Sequence, residues 1–290
     1  MATKTEILEQ ELNKGNKKKD RAIGLFGKMG LFREPGEIII DRAIEPVDLL
    51  SAYHLVYNIF LESGYIKPND TRIRIRPYEV LIEMATFIAK ISNKVVGVHS
   101  VVPDTPEFGL PSDSAFKGEL DKIRNMGERR ICEATNLAIH PRFRKGPVST
   151  ELMRIMYAHA VETGCTDLIA TVSPSHQFFY EFMGLELVGE VRNYSGEVKD
   201  PVIMMRYDIP KHLELIERIK KDPSKISKSE VFVGHFLIID NPYLKKIDLW
   251  EEKSEVQLSE FWEALDKGLK KARMSLDMLF MELALEKVRV

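Results

Sequence analysis

CEATNLAIHPRFRKG, residues 132–146, begins as a strand and ends in a basic turn. Small and apolar side chains dominate its first half, with Thr135 and Asn136 as polar exceptions, and Glu133 is its one acidic residue. Arg142, Arg144 and Lys145 follow about ten residues downstream. A carboxylate in a strand of this kind is costly to bury unless it is paired or put to use. Glu133 is therefore the first candidate for function. The competing reading is an ion pair with Arg129, Arg130 or another nearby cation.

The flanking segments extend the pattern on both sides. Upstream, EIIIDRAI (37–44) reads as a strand, and PVDLLSAYHLVYNIFLESG (46–64) sets Leu49, Tyr53, Val56 or Tyr57 and Phe60 at helical spacing, with Gly64 as the stop. TFIAKIS (86–92) and KVVGVHSVV (94–102) flank Asn93, which predicts a hairpin. DSAFKGELDKIRNMG (113–127) has a helix-capping start and a terminal glycine. Downstream come a helix, VSTELMRIMYAHAVETG (148–164), a strand, TDLIATVS (166–173), a helix, HQFFYEFMG (176–184), and closing strands LELVGEVRNY (185–194) and PVIMMRYDI (201–209). This order predicts an α/β (α+β) chain, a mixed twisted sheet flanked by helices.

A length of 290 residues suits one large domain with an appendage or two modest domains. The expected division is a polar tail or peripheral helix over 1–36, carrying NKKKD and ending in REPGE, a main domain over 37–210, and a mostly helical C-terminal extension over 211–290. VFVGHFLII (231–239) is a doubtful strand inside that extension. Leu258, Trp262, Leu265, Leu269, Ala272, Leu276, Leu279 and Leu283 alternate spacings of four and three, a heptad seam. One helix does not show where its seam docks, so packing on its own domain and homo-oligomer formation through the C-terminal helix both stand open.

The composition, 44% hydrophobic and 30% charged, is that of a soluble globular protein, and a net charge of -2 argues against general nucleic-acid affinity. No apolar run reaches the length of a membrane span, and the N-terminal stretch lacks a signal-peptide core, so a cytoplasmic protein is expected. Cys132 and Cys165 form neither a disulfide framework nor a metal signature and read as small core residues. No metal is expected.

The element order resembles the GNAT acyltransferase fold. SHQFFYEFMGLELVGE (175–190) is similar to that superfamily's late helix-to-strand segment. EATNLAIHPRFRK (133–145), VVPDTPEFGLPSDSAFKGELDKIRNMG (101–127) and TVSPSHQFFY (171–180) are together similar to the N-acyl amino acid synthase branch, which is related to the acyl-homoserine-lactone synthases. The resemblance covers roughly 37–209. It implies a GNAT-like N-acyltransferase that moves a fatty acyl group from an acyl carrier protein thioester to the amine of an amino acid or similar small acceptor. It also implies no tightly bound cofactor, with acyl-phosphopantetheine, on acyl carrier protein or CoA, as the donor substrate. Two positions depart from the pattern. The turn after the strand holds only Gly146, followed by Pro147, which has no amide hydrogen to offer a CoA pyrophosphate. Asn136 stands where relatives often place Arg or Ser.

Transfer from a thioester to an amine needs a neutral amine, a stabilised oxyanion and a thiolate able to leave. Glu133 matches the Glu that opens the family motif and is the expected base. The resemblance assigns the oxyanion to backbone amides around Leu137, Ala138 and Ile139, and proton delivery to sulfur to Tyr180, which otherwise reads as a core aromatic beside Phe178, Phe179 and Phe182. Asn136 and His176 are candidates for holding the acceptor, His176 otherwise beginning a helix. Arg142, Arg144, Lys145 and Gly146 are candidates for the donor, since one phosphate and an acidic carrier protein both suit a basic turn; an ordinary solvated loop is the competing reading. Two alternatives stay open: a CoA-dependent N-acetyltransferase, and a catalytically silent module that binds a carrier protein or assembles through its last helix.

Overall fold

A computed structural model describes residues 4–194, 200–244 and 255–271. Its elements in chain order are α1 (Lys4–Lys28), β1 (Ile39–Arg42), α2 (Pro46–Glu62), β2 (Ala85–Ile91), β3 (Lys94–Pro103), α3 (Asp113–Arg124), β4 (Ile131–Ile139) and α4 (Val148–Glu162). They continue with β5 (Asp167–Val172), α5 (Gln177–Phe182), β6 (Glu186–Asn193), β7 (Pro201–Asp208), α6 (Ile209–Lys221), α7 (Lys228–Gly234) and α8 (Glu255–Lys271). The seven strands form one sheet in the order β1-β2-β3-β4-β5-β7-β6. Only β4 and β5 run parallel. This is the mixed sheet that the sequence predicts.

The hairpin between β2 and β3 closes through Ser92 and Asn93, with φ of 48° and 61°. Two successive left-handed residues match the right-handed twist of paired strands, which is why Asn is favoured there. The sheet then buries two faces. One packs under α4, with α1, α5 and α7 around it; the other packs under α2 and α3. Gly97 lets α4 come close to β3, since a Cβ there would lie 2.6 Å from Val148 Cγ1 and 2.9 Å from Leu152 Cδ1.

The N-terminal stretch is a helix whose last turns enter the core. Phe26 is buried against the rings of Phe178, Phe179 and Phe182, at 6.3, 5.2 and 5.1 Å. The doubtful strand at 231–239 is helical instead, forming α7 and a π-helical turn over His235–Ile239. A capping box at Ser227 and Glu230 starts the helix. Val233 and Leu237, four residues apart, take the buried face, a period that an alternating strand reading does not capture.

In α8 the buried pair is Phe261 and Leu265, packed against α2, with the Tyr53 and Phe261 rings 5.9 Å apart and Trp262 half-buried beside them. Over its described part the seam therefore docks on its own chain, with Phe261 in a core position that the four-and-three reading passed over. Leu269 stands within α8, while Ala272, Leu276, Leu279 and Leu283 lie outside the described residues. Among the described residues no helix is long and apolar enough to cross a membrane.

Phe261→Ala is expected to cost about 3–5 kcal/mol, whereas Glu260→Ala, on the exposed face, should stay within about 0.5 kcal/mol of the parent. Urea unfolding of both variants checks this. Equal effects would contradict the docking of α8 on α2.

Candidate active site

Pairing between β4 and β5 runs from Ile131 opposite Asp167 to Ala134 opposite Ala170, and there it ends. β4 continues to Ile139 and β5 to Val172 without each other, so the sheet opens between them. On its other side β4 carries one extra residue. Val98 faces Ala138 and Ser100 faces Thr135, leaving three steps on β4 against two on β3, with Asn136 at φ 55°. Such a bulge breaks the inside-outside alternation. Cys132 and Ala134 face the α4 side, Thr135 and Asn136 both turn to the polar network on the α2 and α3 side, and Leu137 returns to the α4 side.

Glu133 lies on the α3 side and is 2% exposed. The Ser112 amide, at the start of α3, donates to Glu133 Oε2 at 2.9 Å. Burial pushes the carboxyl up to about 7, against the opposing pull of the Ser112 hydrogen bonds and the Arg76 guanidinium. A carboxyl poised there can exchange a proton at neutral pH. Arg129 instead pairs with Asp167 at 3.4 Å.

Beside Glu133 stands a polar cluster that the sequence reading missed. Arg74 donates to Asn136 Oδ1 at 2.9 Å, and Asn136 Nδ2 donates to Glu79 Oε1 at 3.1 Å. Arg76 pairs with Glu79 at 3.1 Å and donates to Thr135 Oγ1 at 3.3 Å. Glu79 belongs to a single 3₁₀ turn, Pro77–Val80, after which the chain enters β2. Arg74 and Arg76 come from TRIRIR (71–76), where alternating cations and isoleucines were the available signal. They reach β4 from about sixty residues away.

A cavity of about 280 Å³ runs through the opening. Arg74, Arg76, Asn136 and Tyr194 border it on one side of the sheet, and Met153, Met156, Tyr157, Leu168, Met183 and Tyr207 on the other, with Glu133, Ala134 and Thr135 between. Tyr180 and His176 border it as well. Burial pushes the Tyr180 phenol up to about 12; its ring lies 5.7 Å from that of Phe179. His99, on β3, borders the α4 side and is held neutral, lowered to about 4 by burial.

Of the expected site residues, Glu133, Asn136, Leu137, His176 and Tyr180 thus share one cavity. Ala138 instead packs beneath α2, and Ile139 lies beyond the cavity, its carbonyl accepting from Arg144 Nε at 3.2 Å. Arg142, Arg144 and Lys145 are exposed on the turn before α4, and with Gly146 they stand outside the cavity wall. The Gly146 backbone is not left-handed, and a Cβ there would meet only Phe143 O at 3.8 Å. Among the described residues no group of three or more His, Cys, Asp or Glu could hold a metal ion.

A mixed sheet opened at its single parallel pair, with a cavity through the opening, is the GNAT-like acyltransferase fold. The structure of FeeM, an N-acyl amino acid synthase from uncultured soil microbes, shares it at a TM-score of 0.53 and 22% identity, over 60% of this chain and 92% of that one. Also similar are BjaI, a CoA-dependent acyl-homoserine lactone synthase solved with SAM and isopentyl-CoA (TM-score 0.48, 14% identity, 78% of this chain and 99% of that one), and the AHL synthase LasI (0.46, 15%, 59% and 89%). No curated protein matches the sequence. The family model of the N-acyl amino acid synthase FeeM matches residues 51–208, more than half of the chain, and the chain belongs to that family. It is an acyltransferase.

Because the folded-state pKa of Glu133 lies above the ordinary carboxyl value, the folded protein holds that proton to higher pH than the unfolded chain. Its contribution to stability is present below about 4.5 and is lost as pH rises through about 7. Glu133→Gln, which keeps the acceptor for Ser112, should therefore gain on the order of 1–3 kcal/mol over the parent at pH 8 and almost nothing at pH 4. Chemical denaturation at both pH values measures it. A difference that does not change with pH would contradict the buried, raised carboxyl.

Proposed function

We propose that the protein moves a fatty acyl group from the phosphopantetheine thioester of an acyl carrier protein to the amine of an amino acid. The observation that carries this reading is Glu133, a buried carboxyl raised to about 7 where a polar arm and an apolar arm of one cavity meet. The acyl chain enters the apolar arm beneath α4, and the acceptor enters the polar arm, where Arg74 and Arg76 bring positive charge suited to an amino-acid carboxylate. Asn136 borders the same arm, and His176 borders the cavity.

In the reaction the amine nitrogen attacks the thioester carbon and gives its proton to Glu133, directly or through a water. The oxyanion rests against the β4 backbone beside the bulge, at the amide of Leu137, where pairing with β5 has ended and the strand borders the cavity. The C–S bond then breaks. Tyr180, kept protonated by burial, delivers a proton to the sulfur, and the proton taken by Glu133 returns through solvent to the Tyr180 phenolate, which restores both groups.

The exposed Arg142, Arg144 and Lys145 at the entry to α4, together with Pro147 in place of an amide donor, support a carrier protein over CoA as donor. Glu133→Gln is expected to lower kcat/KM by about 10²–10⁴-fold, assayed by thiol release with the acceptor below saturation. Unaltered turnover would remove Glu133 from the role of base.

Replacing Arg142, Arg144 and Lys145 together by Ala should raise KM for the carrier-linked donor far more than for a short acyl-pantetheine. The wild-type preference for the carrier should also shrink as salt shortens the Debye length from about 10 Å at 0.1 M towards about 3 Å at 1 M. Equal losses on both donors, or use of acyl-CoA as good as that of the carrier, would return CoA to the donor role.

A further inference from the structure

We infer that the exposed face of α1 is a docking surface for the acyl carrier protein that brings the donor. Its cations meet the carrier's acidic surface, and Leu25 with Met29 supplies an apolar patch among them. The inference rests on the acyl-transfer reading above and adds a second surface for the same partner to the basic turn at Arg142, Arg144 and Lys145.

Lys14, Lys18, Arg21, Leu25 and Lys28 follow one another at spacings of four, three, four and three, which sets them along one face of α1, and all five are exposed. Lys17, also exposed, lies beside them, one turn before Arg21. Leu25 is 55% exposed, and Met29, just past the helix, 50%. The one acid between Lys14 and Lys28 is Asp20, and it is turned to α7, where it accepts from the Ser229 amide at 2.8 Å. Among the described residues none of Lys14, Lys17, Lys18, Arg21 and Lys28 pairs with a carboxylate.

This face works against the helix that carries it. Lys14 with Lys18, and Lys17 with Arg21, are like charges four residues apart, an arrangement that destabilises a helix. Gly24 stands between Arg21 and Lys28, in a helix interior where glycine is unfavourable. The fold does not call for it, since a Cβ there would meet no atom within 4 Å. A bare backbone between two cations instead lets a partner approach closely, and an acidic partner relieves the repulsion.

Position ties the face to the donor. Lys18 Nζ lies 4.5 Å from the centre of the Phe178 ring, on α5, whose Tyr180 borders the cavity. Beyond the other end of α1, the Leu31 carbonyl accepts from Thr150 Oγ1 in the first turn of α4, directly after the basic turn. A carrier seated on α1 therefore adjoins α5 at one end of the face and the entry to α4 at the other. A lipid surface fits less well. Helices that lie in a membrane interface insert a broad apolar face, and in α1 that face, with Ala22 and Phe26, is buried in the core of its own chain.

The test titrates the full-length protein into fluorescently labelled apo acyl carrier protein, which has no phosphopantetheine and so reads docking apart from the cavity and the chemistry. Arg21→Glu with Lys28→Glu should weaken binding by about tenfold or more. Lys122→Glu with Lys221→Glu, which makes the same change of charge at exposed positions of α3 and α6, should leave binding near that of the wild type. Equal effects of the two pairs, or binding lost only on replacing Arg142, Arg144 and Lys145, would overturn the inference while leaving the carrier as donor. Binding to phosphatidylglycerol vesicles that Arg21→Glu with Lys28→Glu abolishes, with carrier binding unchanged, would overturn it in favour of a lipid surface. No binding of the carrier by the wild type, with turnover of acyl-CoA, would overturn it together with the carrier reading.

Discussion

β4 and β5 share parallel hydrogen bonding along four residue pairs, from Ile131 with Asp167 to Ala134 with Ala170, and then part. Where two central strands separate, their backbone amides and carbonyls lose strand partners and must find others. In this chain the loss coincides with the extra residue at Asn136, which turns Thr135 and Asn136 to one face and Leu137 to the other. A sheet that continued its pairing would have no cavity, and one without the bulge would set different side chains along the wall. Glu133, one residue before the last pair, owes its position to both.

The two arms of the cavity are built on opposite electrostatic terms. On the α2 and α3 face two cations are paired or hydrogen-bonded, Arg76 with Glu79 and Arg74 with Asn136, and Asn136 links them by donating to Glu79. A satisfied buried network of this kind is rigid, and breaking one member leaves the others uncompensated. Glu133 is the exception, since the Ser112 amide and the nearby Arg76 do not offset the burial that keeps its pKa high. Stability is sacrificed at the group that must change charge in the reaction.

Most of the architecture was legible because it rests on local rules. Asn93 marked the hairpin, glycines marked helix ends, and apolar periods separated the strands from α2 and α4. Glu133 was legible for the opposite reason, as a charge where an apolar strand should have none. The segment at 231–239 misled because Val231, Val233, Phe236 and Ile238 favour strands individually, while the capping box at Ser227 and packing on α6 decided for a helix. Arg74, Arg76 and Glu79 were illegible as site residues. Their role arises from contact with β4 across more than fifty residues of chain, and nothing in TRIRIRPYEV marks which cation turns inward. The parting of β4 from β5 was not readable from the residues themselves, because it is a relation between two strands.

The account depends on Glu133 keeping its proton to near neutrality inside the folded protein. Carbon-13 NMR titration of glutamate side-chain carboxyls, with the Glu133 signal assigned by its absence in Glu133→Gln, measures that directly. The predicted result is a single titration centred at about 7. A midpoint near the ordinary carboxyl value of about 4.3 would mean that the opening is wet and the carboxylate already charged, and the assignment of Glu133 as a poised base would fall.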